Sequence, residues 1–175
     1  GGGTLSASRI LGEFIINDAD EGGTYVKISH NDKKSDRDTS HVFGQDSLNI
    51  SLGLNRTYFL TTQATASASE SLINGLKPYF PNNVFTIGQN TYGKPVGMYA
   101  FSDNNKEYAF LPVTFKLVNA DGDGEYFEGI TPDAQLNDDF KQPFGSLDDD
   151  LLNQALYHME NGSFDMKKEI GRAHV

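Results

Sequence analysis

The chain has no cysteine. A thiol nucleophile, a disulfide framework and a cysteine-ligated zinc site are therefore excluded. Positive charge is scarce: 14 Lys and Arg stand against 24 Asp and Glu, for a net charge of −10. A surface of that sign repels phosphate, which argues against nucleic acid as a partner. No apolar run approaches the ~20 residues a membrane-spanning helix needs. No glycine-rich phosphate loop follows a strand, and the G-x-S-x-G elbow of α/β-hydrolases is missing.

Other constellations are incomplete. The four histidines, His30, His41, His158 and His174, lack metal-ligand spacing, and none is well placed to act as a base in a Ser-His-Asp arrangement. Asn119 to Gly124 looks like half of a calcium loop, but Ile130 stands where the bidentate acid belongs. A turn rich in Asp and Gly explains that segment more simply. No metal and no cofactor are expected. No signal peptide is visible, and the chain opens on Gly1-Gly2-Gly3, as in a mature product or an excised fragment. With 175 residues and 37% hydrophobic content, the composition fits one globular domain.

Periodicity supplies the elements. Ala7, Ile10, Leu11, Phe14 and Ile15 fall at helical spacing, with Thr4 or Ser6 as N-cap. Tyr25–Ile28 reads as a strand, 31–40 as an exposed loop, and Leu48, Ile50 and Leu52 as alternate positions of a half-exposed strand. A buried strand lies within 56–62. A helix follows, with Leu72, Ile73, Leu76, Tyr79 and Phe80 on one face and Pro81 stopping it. Val84–Ile87 is the next buried strand, and this order suggests a parallel crossover. Met98–Phe101 and Tyr108–Val118 read as paired strands around the polar turn 102–105, and Glu125–Ile130 as a further strand. A last helix begins near Ser146, with Asp148, Asp149 and Asp150 at its positive end and Leu151, Leu152, Ala155, Leu156 and Met159 as its buried stripe. The class is α/β.

Two segments carry chemistry. Thr65-Ala66-Ser67-Ala68-Ser69-Glu70 lies between a strand and a helix, and Asn90-Thr91-Tyr92-Gly93-Lys94 follows the next strand. A serine hydroxyl needs a partner to take its proton, and a lysine kept neutral by its surroundings can do so. Ser67 is the candidate nucleophile and Lys94 the candidate general base. The bare N–H of Ala68 in the first helical turn is a candidate oxyanion donor, and Ala66 and Ala68 leave room for a substrate carbonyl. The same residues also read as S-x-x-E, a capping box, and a lysine in a glycine turn is usually just exposed.

Together these segments resemble the carboxyl-terminal processing, or tail-specific, proteases, which use a serine–lysine pair. The 65–70 segment resembles the family's nucleophile segment and the 88–94 segment its general-base segment. Gly129-Ile130-Thr131-Pro132-Asp133 resembles a later family segment, and the likeness runs from Gly1 to about Phe164. The resemblance implies a crotonase/ClpP-like mixed sheet with flanking helices. Residues 1–164 would be the C-terminal part of a serine protease catalytic domain, and 165–175 an unstructured tail. It implies a protein or peptide substrate, a missing N-terminal part with a PDZ domain, and a periplasmic or envelope location. It implies a second oxyanion donor at Gly2, in the glycine run that ends the family's Asp-Leu-Arg-x-Asn-x-Gly-Gly motif. Met98 departs from the family's pattern, in which a Gln stands four residues after the lysine. Gln89, Asn90 and Glu70 are then candidates to orient the amine. The alternatives are a catalytically inactive peptide- or ligand-binding module of the same fold, and an envelope scaffold whose serine cluster is only a helix cap.

Overall fold

The computed structural model describes residues 2–16, 20, 22–44, 51–138 and 140–165. Among them run helix α1 (Leu5–Ile15), strands β1 (Thr24–Ser29), β2 (Thr39–Val42) and β3 (Thr57–Thr61), helix α2 (Ala68–Leu76), strands β4 (Val84–Gly88), β5 (Val96–Met98), β6 (Phe101–Ser102), β7 (Ala109–Phe110), β8 (Val113–Val118) and β9 (Ala134–Gln135), and helix α3 (Asp150–Asn161). The strands form an antiparallel sheet in the order β2-β1-β8-β5, a parallel sheet in the order β3-β4-β9, and the two-stranded hairpin β6-β7. The α/β class holds, with the parallel and antiparallel strands in separate sheets.

The expected crossover is present: β3 and β4 pair in parallel from Thr57↔Val84 to Thr61↔Gly88, with α2 between them. Parallel strands cannot be joined by a tight turn, so the helix must return the chain. Nearly every residue of α2 is buried. Leu72 and Leu76 join Tyr25, Val26 and Ile28 of β1 and Leu117 of β8 in the main core. A second cluster sets Ile87 and Ala134 of the parallel sheet against Leu151 and Ala155 of α3.

Several expectations fail for identifiable reasons. Helix α1 buries the face opposite to its apolar one: Ser8, Arg9, Gly12 and Glu13 are inside, while Ala7 and Leu11 are exposed. Gly12 lets the Phe43 ring and Leu72 come close, the Tyr25 hydroxyl donates to Ser8 Oγ at 2.8 Å, and Arg9 pairs with Glu13. Segment 31–40 holds a 3-10 turn at Ser35–Arg37 and the start of β2, a polar strand whose ladder to β1 supplies what apolar alternation does not. Leu52 lies in no strand; its N–H donates to Phe14 O at 2.8 Å, and Leu48 and Ile50 lie outside the described residues. Leu111-Pro112 splits Tyr108–Val118 into β7 and β8. Segment 125–130 is irregular, with a turn at 127–128, and the second strand beside β4 is β9. Helix α3 starts at Asp150, capped by Asp149, whose Oδ1 accepts the Leu152 N–H at 2.9 Å. It buries Gln154 and His158 where Met159 was expected. Of the tail, residues 166–175 lie outside the described residues. The calcium-like segment is a turn: Asn119 Oδ1 accepts the N–H groups of Asp121 and Asp123, while its Nδ2 donates to Asn74 O on α2.

His158 is set in an aromatic nest. Its ring centroid lies 4.4 Å from that of Phe85 and 4.2 Å from that of Phe164, and Nδ1 is 2.8 Å from the Tyr58 hydroxyl. Burial first, then the charge of Arg56, pushes its pKa below the ordinary value. Between the folded and unfolded pKa values the unfolded chain therefore binds more protons, so stability falls as pH drops below ~6.5. Urea unfolding at pH 7.5 and 5.5 should show this loss, and His158→Gln should reduce it. An undiminished loss in the variant would assign it to other groups.

Candidate active site

Ser67 sits where β3 turns into α2, and its backbone is unlike that of the residues that cap α1 and α3. Thr4 and Asp149 hold extended conformations (φ −83°, ψ 144° and φ −71°, ψ 119°), and each side chain accepts an N–H of the helix it starts. Ser67 has φ 54° and ψ −115° and makes no such side-chain bond. A non-glycine residue held there is strained by roughly 1–3 kcal/mol and persists only where its surroundings fix it. A capping box is nonetheless present: the Ser67 side chain faces the Glu70 N–H, and Glu70 Oε2 accepts the Ser67 N–H at 2.8 Å.

Glu70 is what fixes the turn. Its side chain is fully buried, and both oxygens are used. Oε2 also accepts the Lys94 N–H at 2.9 Å, while Oε1 accepts the Gly93 N–H at 2.7 Å and the Thr91 hydroxyl at 2.5 Å. One carboxylate thus ties the serine turn to the lysine turn. Four donors satisfy its oxygens without a cation, which is how a buried carboxylate is tolerated. Its charge adds to burial in pushing the neighbouring Tyr126 up to about 12.

The lysine turn is held from its other side as well. Thr91 Oγ1 accepts the Ile130 N–H at 2.7 Å, and the Thr91 N–H donates to Ile130 O at 3.2 Å. Gly93 has φ 92°, and a methyl there would overlap the Phe127 carbonyl. Backbone lies directly on backbone, so only glycine fits. Asp133, at the end of the same segment, accepts the N–H and hydroxyl of Thr86 on β4 at 2.7 and 3.0 Å.

These restraints bring the four sequence candidates to one place. Ser67, Lys94, Ala68 and Gly2 line a single cleft of about 460 Å³, with β5 and β8 contributing to its wall. Ala68 is the first residue of α2, and its N–H has no carbonyl of its own helix to meet. Gly2 lies against the serine turn: a methyl on it would sit 3.7 Å from Ala66 O and 4.0 Å from Ser67 Cβ. Lys94 is half-buried.

The candidates for orienting the Lys94 amine do not do so. Gln89 Nε2 donates to Asn137 Oδ1, Asn90 Nδ2 donates to Glu128 O, and Glu70 is spent on backbone N–H groups and Thr91. Each is committed to the frame of the turn. Met98 lines the cleft. Thr91 was not singled out by sequence reasoning. Its signal was faint: a small β-branched hydroxyl between Asn90 and Tyr92, in a turn whose acceptor lies 21 residues earlier.

Two substitutions separate strain from capping. Ser67→Gly should gain about 1 kcal/mol in urea unfolding, because glycine carries no Cβ penalty at this φ. Ser67→Ala should stay within about 0.5 kcal/mol, whereas a loss of ~1 kcal/mol would mark the serine as an ordinary cap. A third substitution probes the carboxylate. Glu70→Gln presents N–H groups to N–H donors and should cost roughly 2–4 kcal/mol. Unchanged stability in that variant would dismiss Glu70 as the tie.

No family model and no curated protein matches the chain. Solved structures do. The chain is similar to a protein from Bacteroides fragilis NCTC 9343 assigned to the S41 proteases, at 27% identity and a TM-score of 0.83, covering 93% of this chain and 43% of that one. It is similar to the photosystem II D1 C-terminal processing protease at 22% identity and a TM-score of 0.58, covering 78% of this chain and 32% of that one. It is also similar to a lipoprotein from Streptococcus agalactiae, at 20% identity and a TM-score of 0.61, covering 93% of this chain and 52% of that one. The chain thus spans less than half the length of these two proteases, and over that span it has the fold of the carboxyl-terminal processing proteases.

Proposed function

We propose that this chain is the C-terminal part of a serine endopeptidase of the carboxyl-terminal processing type. The observation that carries the reading is the strained Ser67 turn, tied through Glu70 to the Lys94 turn beside one cleft. The likeness to the S41 protease supports it.

In this mechanism Ser67 Oγ attacks the carbonyl carbon of a peptide bond. The Lys94 amine, neutral at that moment, takes the hydroxyl proton and then delivers it to the leaving amine nitrogen. The N–H groups of Ala68 and Gly2 donate to the oxyanion, each worth about 3 kcal/mol in the transition state. Water, deprotonated by Lys94, then cleaves the Ser67 ester and restores the enzyme. Every group required is a side chain or backbone amide of this chain, so the reaction is written without metal or cofactor. The substrate is a protein or peptide. The upstream half of the catalytic domain and a PDZ domain complete the enzyme, which acts in the periplasm or cell envelope; these last features rest on the family resemblance.

The test uses the full-length protein and an unstructured protein substrate with a labelled C-terminus. Ser67→Ala should abolish cleavage while the circular dichroism spectrum stays unchanged. Lys94→Ala should lower kcat by roughly 10²–10⁴-fold. A fluorophosphonate probe should label the wild type and not Ser67→Ala. Turnover that survives Ser67→Ala would reject the assignment. Absence of both cleavage and labelling in the wild type would favour the inactive binding module.

A further inference from the structure

The Thr91 hydroxyl has one proton and one direction in which to point it. Its Oγ1 accepts the Ile130 N–H at 2.7 Å and lies 2.5 Å from Glu70 Oε1. The N–H groups of Ser67, Gly93 and Lys94 already donate to that carboxylate, so it is an acceptor and the hydroxyl proton goes to it. A directed chain of donors thus runs from Ile130 N–H through Thr91 into Glu70. Thr91 is held there. It is buried, its own N–H donates to Ile130 O at 3.2 Å, and a methyl on Gly129 would overlap its carbonyl. With Thr91 in place each Glu70 oxygen carries two hydrogen bonds, and the plane of the carboxylate is fixed. The last torsion of a glutamate is otherwise broad. Without the hydroxyl, Oε1 keeps the Gly93 N–H alone. Any rotation that follows also moves Oε2, which holds both the Ser67 and the Lys94 N–H.

We infer that Thr91 is a positioning residue for the serine–lysine reaction: its hydroxyl sets the plane of the Glu70 carboxylate, and through it the spacing of the Ser67 and Lys94 turns. The inference rests on the peptidase reading given above. Thr91 is not among the residues that line the cleft, so its effect falls on the chemical step and not on substrate binding. Transfer of a proton from Ser67 Oγ to the Lys94 amine needs hydrogen-bond reach, and a displacement of about 1 Å can cost on the order of 10²-fold in rate. The hydrogen bonds that tie Thr91 to Glu70 and Ile130 run through its oxygen and its backbone. Serine in its place keeps all of them, and valine loses those of the hydroxyl.

The experiment measures kcat and KM of the full-length protein on one peptide substrate, per folded protein and well below the unfolding temperature. Thr91→Val keeps the shape of the side chain and removes the hydroxyl. It should lower kcat by roughly 10–100-fold and leave KM within about threefold. Thr91→Ser should return kcat to within about threefold of the wild type, and Thr91→Cys, whose thiol is a weak donor, should fall between the two. A merely structural role would lower stability and leave the kcat of the folded variant unmoved. A folded Thr91→Val with kcat within about twofold of the wild type therefore overturns the inference. So does a Thr91→Ser as slow as Thr91→Val, which would assign the effect to the methyl, and so does a rise in KM with kcat kept. Failure of both Thr91→Val and Thr91→Cys to fold overturns it too, because the hydroxyl then serves the fold alone. In each of these cases Ser67-dependent cleavage by the wild type leaves the peptidase reading standing. No Ser67-dependent cleavage by the wild type overturns both.

Discussion

The site depends on one buried carboxylate. Glu70 lies in the first turn of α2, so its position is set by the helix that also carries Ser67 at its start. From there it accepts N–H groups from Ser67, Gly93 and Lys94 and the hydroxyl of Thr91. Two turns that follow two different strands are thereby locked to a common origin. Such a group is expensive to bury and tolerable only when every lone pair is used. Having met that condition, it holds geometry better than a surface pair, because releasing either turn would strand charge in the interior.

That rigidity explains how a serine can be kept at positive φ. Left to itself the strand-to-helix turn would relax to the extended cap conformation seen at Thr4 and Asp149. Glu70 binds the Ser67 N–H, and Tyr92 N–H donates to Thr65 O at 2.9 Å, so both flanks of the turn are anchored on the lysine side. The Gly93 and Gly129 backbones meet without side chains between them, which brings segment 127–130 in as a third support through Thr91 and Ile130. Strain at one residue is thus balanced by hydrogen bonds at several others, as expected where a group must be presented rather than packed away.

The legible part of the sequence was the local part. β3, α2 and β4 follow one another with clear periodicity, so their order and the two chemical turns beside them could be read directly, although α2 ends at Leu76 in a 3-10 turn, Lys77–Tyr79, and does not run on to Pro81. The polar turn at 102–105 was equally plain. What failed were elements defined by distant partners. β2 is polar and exists by pairing with β1; β9 is two residues long and exists by pairing with β4. Glu70 was visible as a capping residue, but its second and larger role needed Gly93 and Lys94 to fold back on it, and no spacing rule encodes that.

The inverted burial of α1 follows from the same distinction. Its apolar residues form a regular stripe, and pattern alone assigns that stripe to the core. Yet close approach is decided by size and hydrogen bonding as well as by polarity. Gly12 admits the Phe43 ring, Ser8 receives the Tyr25 hydroxyl, and Glu13 takes the Gly44 N–H at 2.9 Å while pairing with Arg9. A face whose small residues admit neighbouring rings and whose charges pair with each other can therefore take the interior from part of an apolar face, leaving Leu11 exposed. This choice also fixes the N-terminal end of the helix, with Gly2 and Gly3 at the mouth of the cleft. The placement of a candidate oxyanion donor is thus set by which side of α1 faces inward, and that was decided by Gly12, Ser8 and the Arg9–Glu13 pair rather than by the hydrophobic pattern.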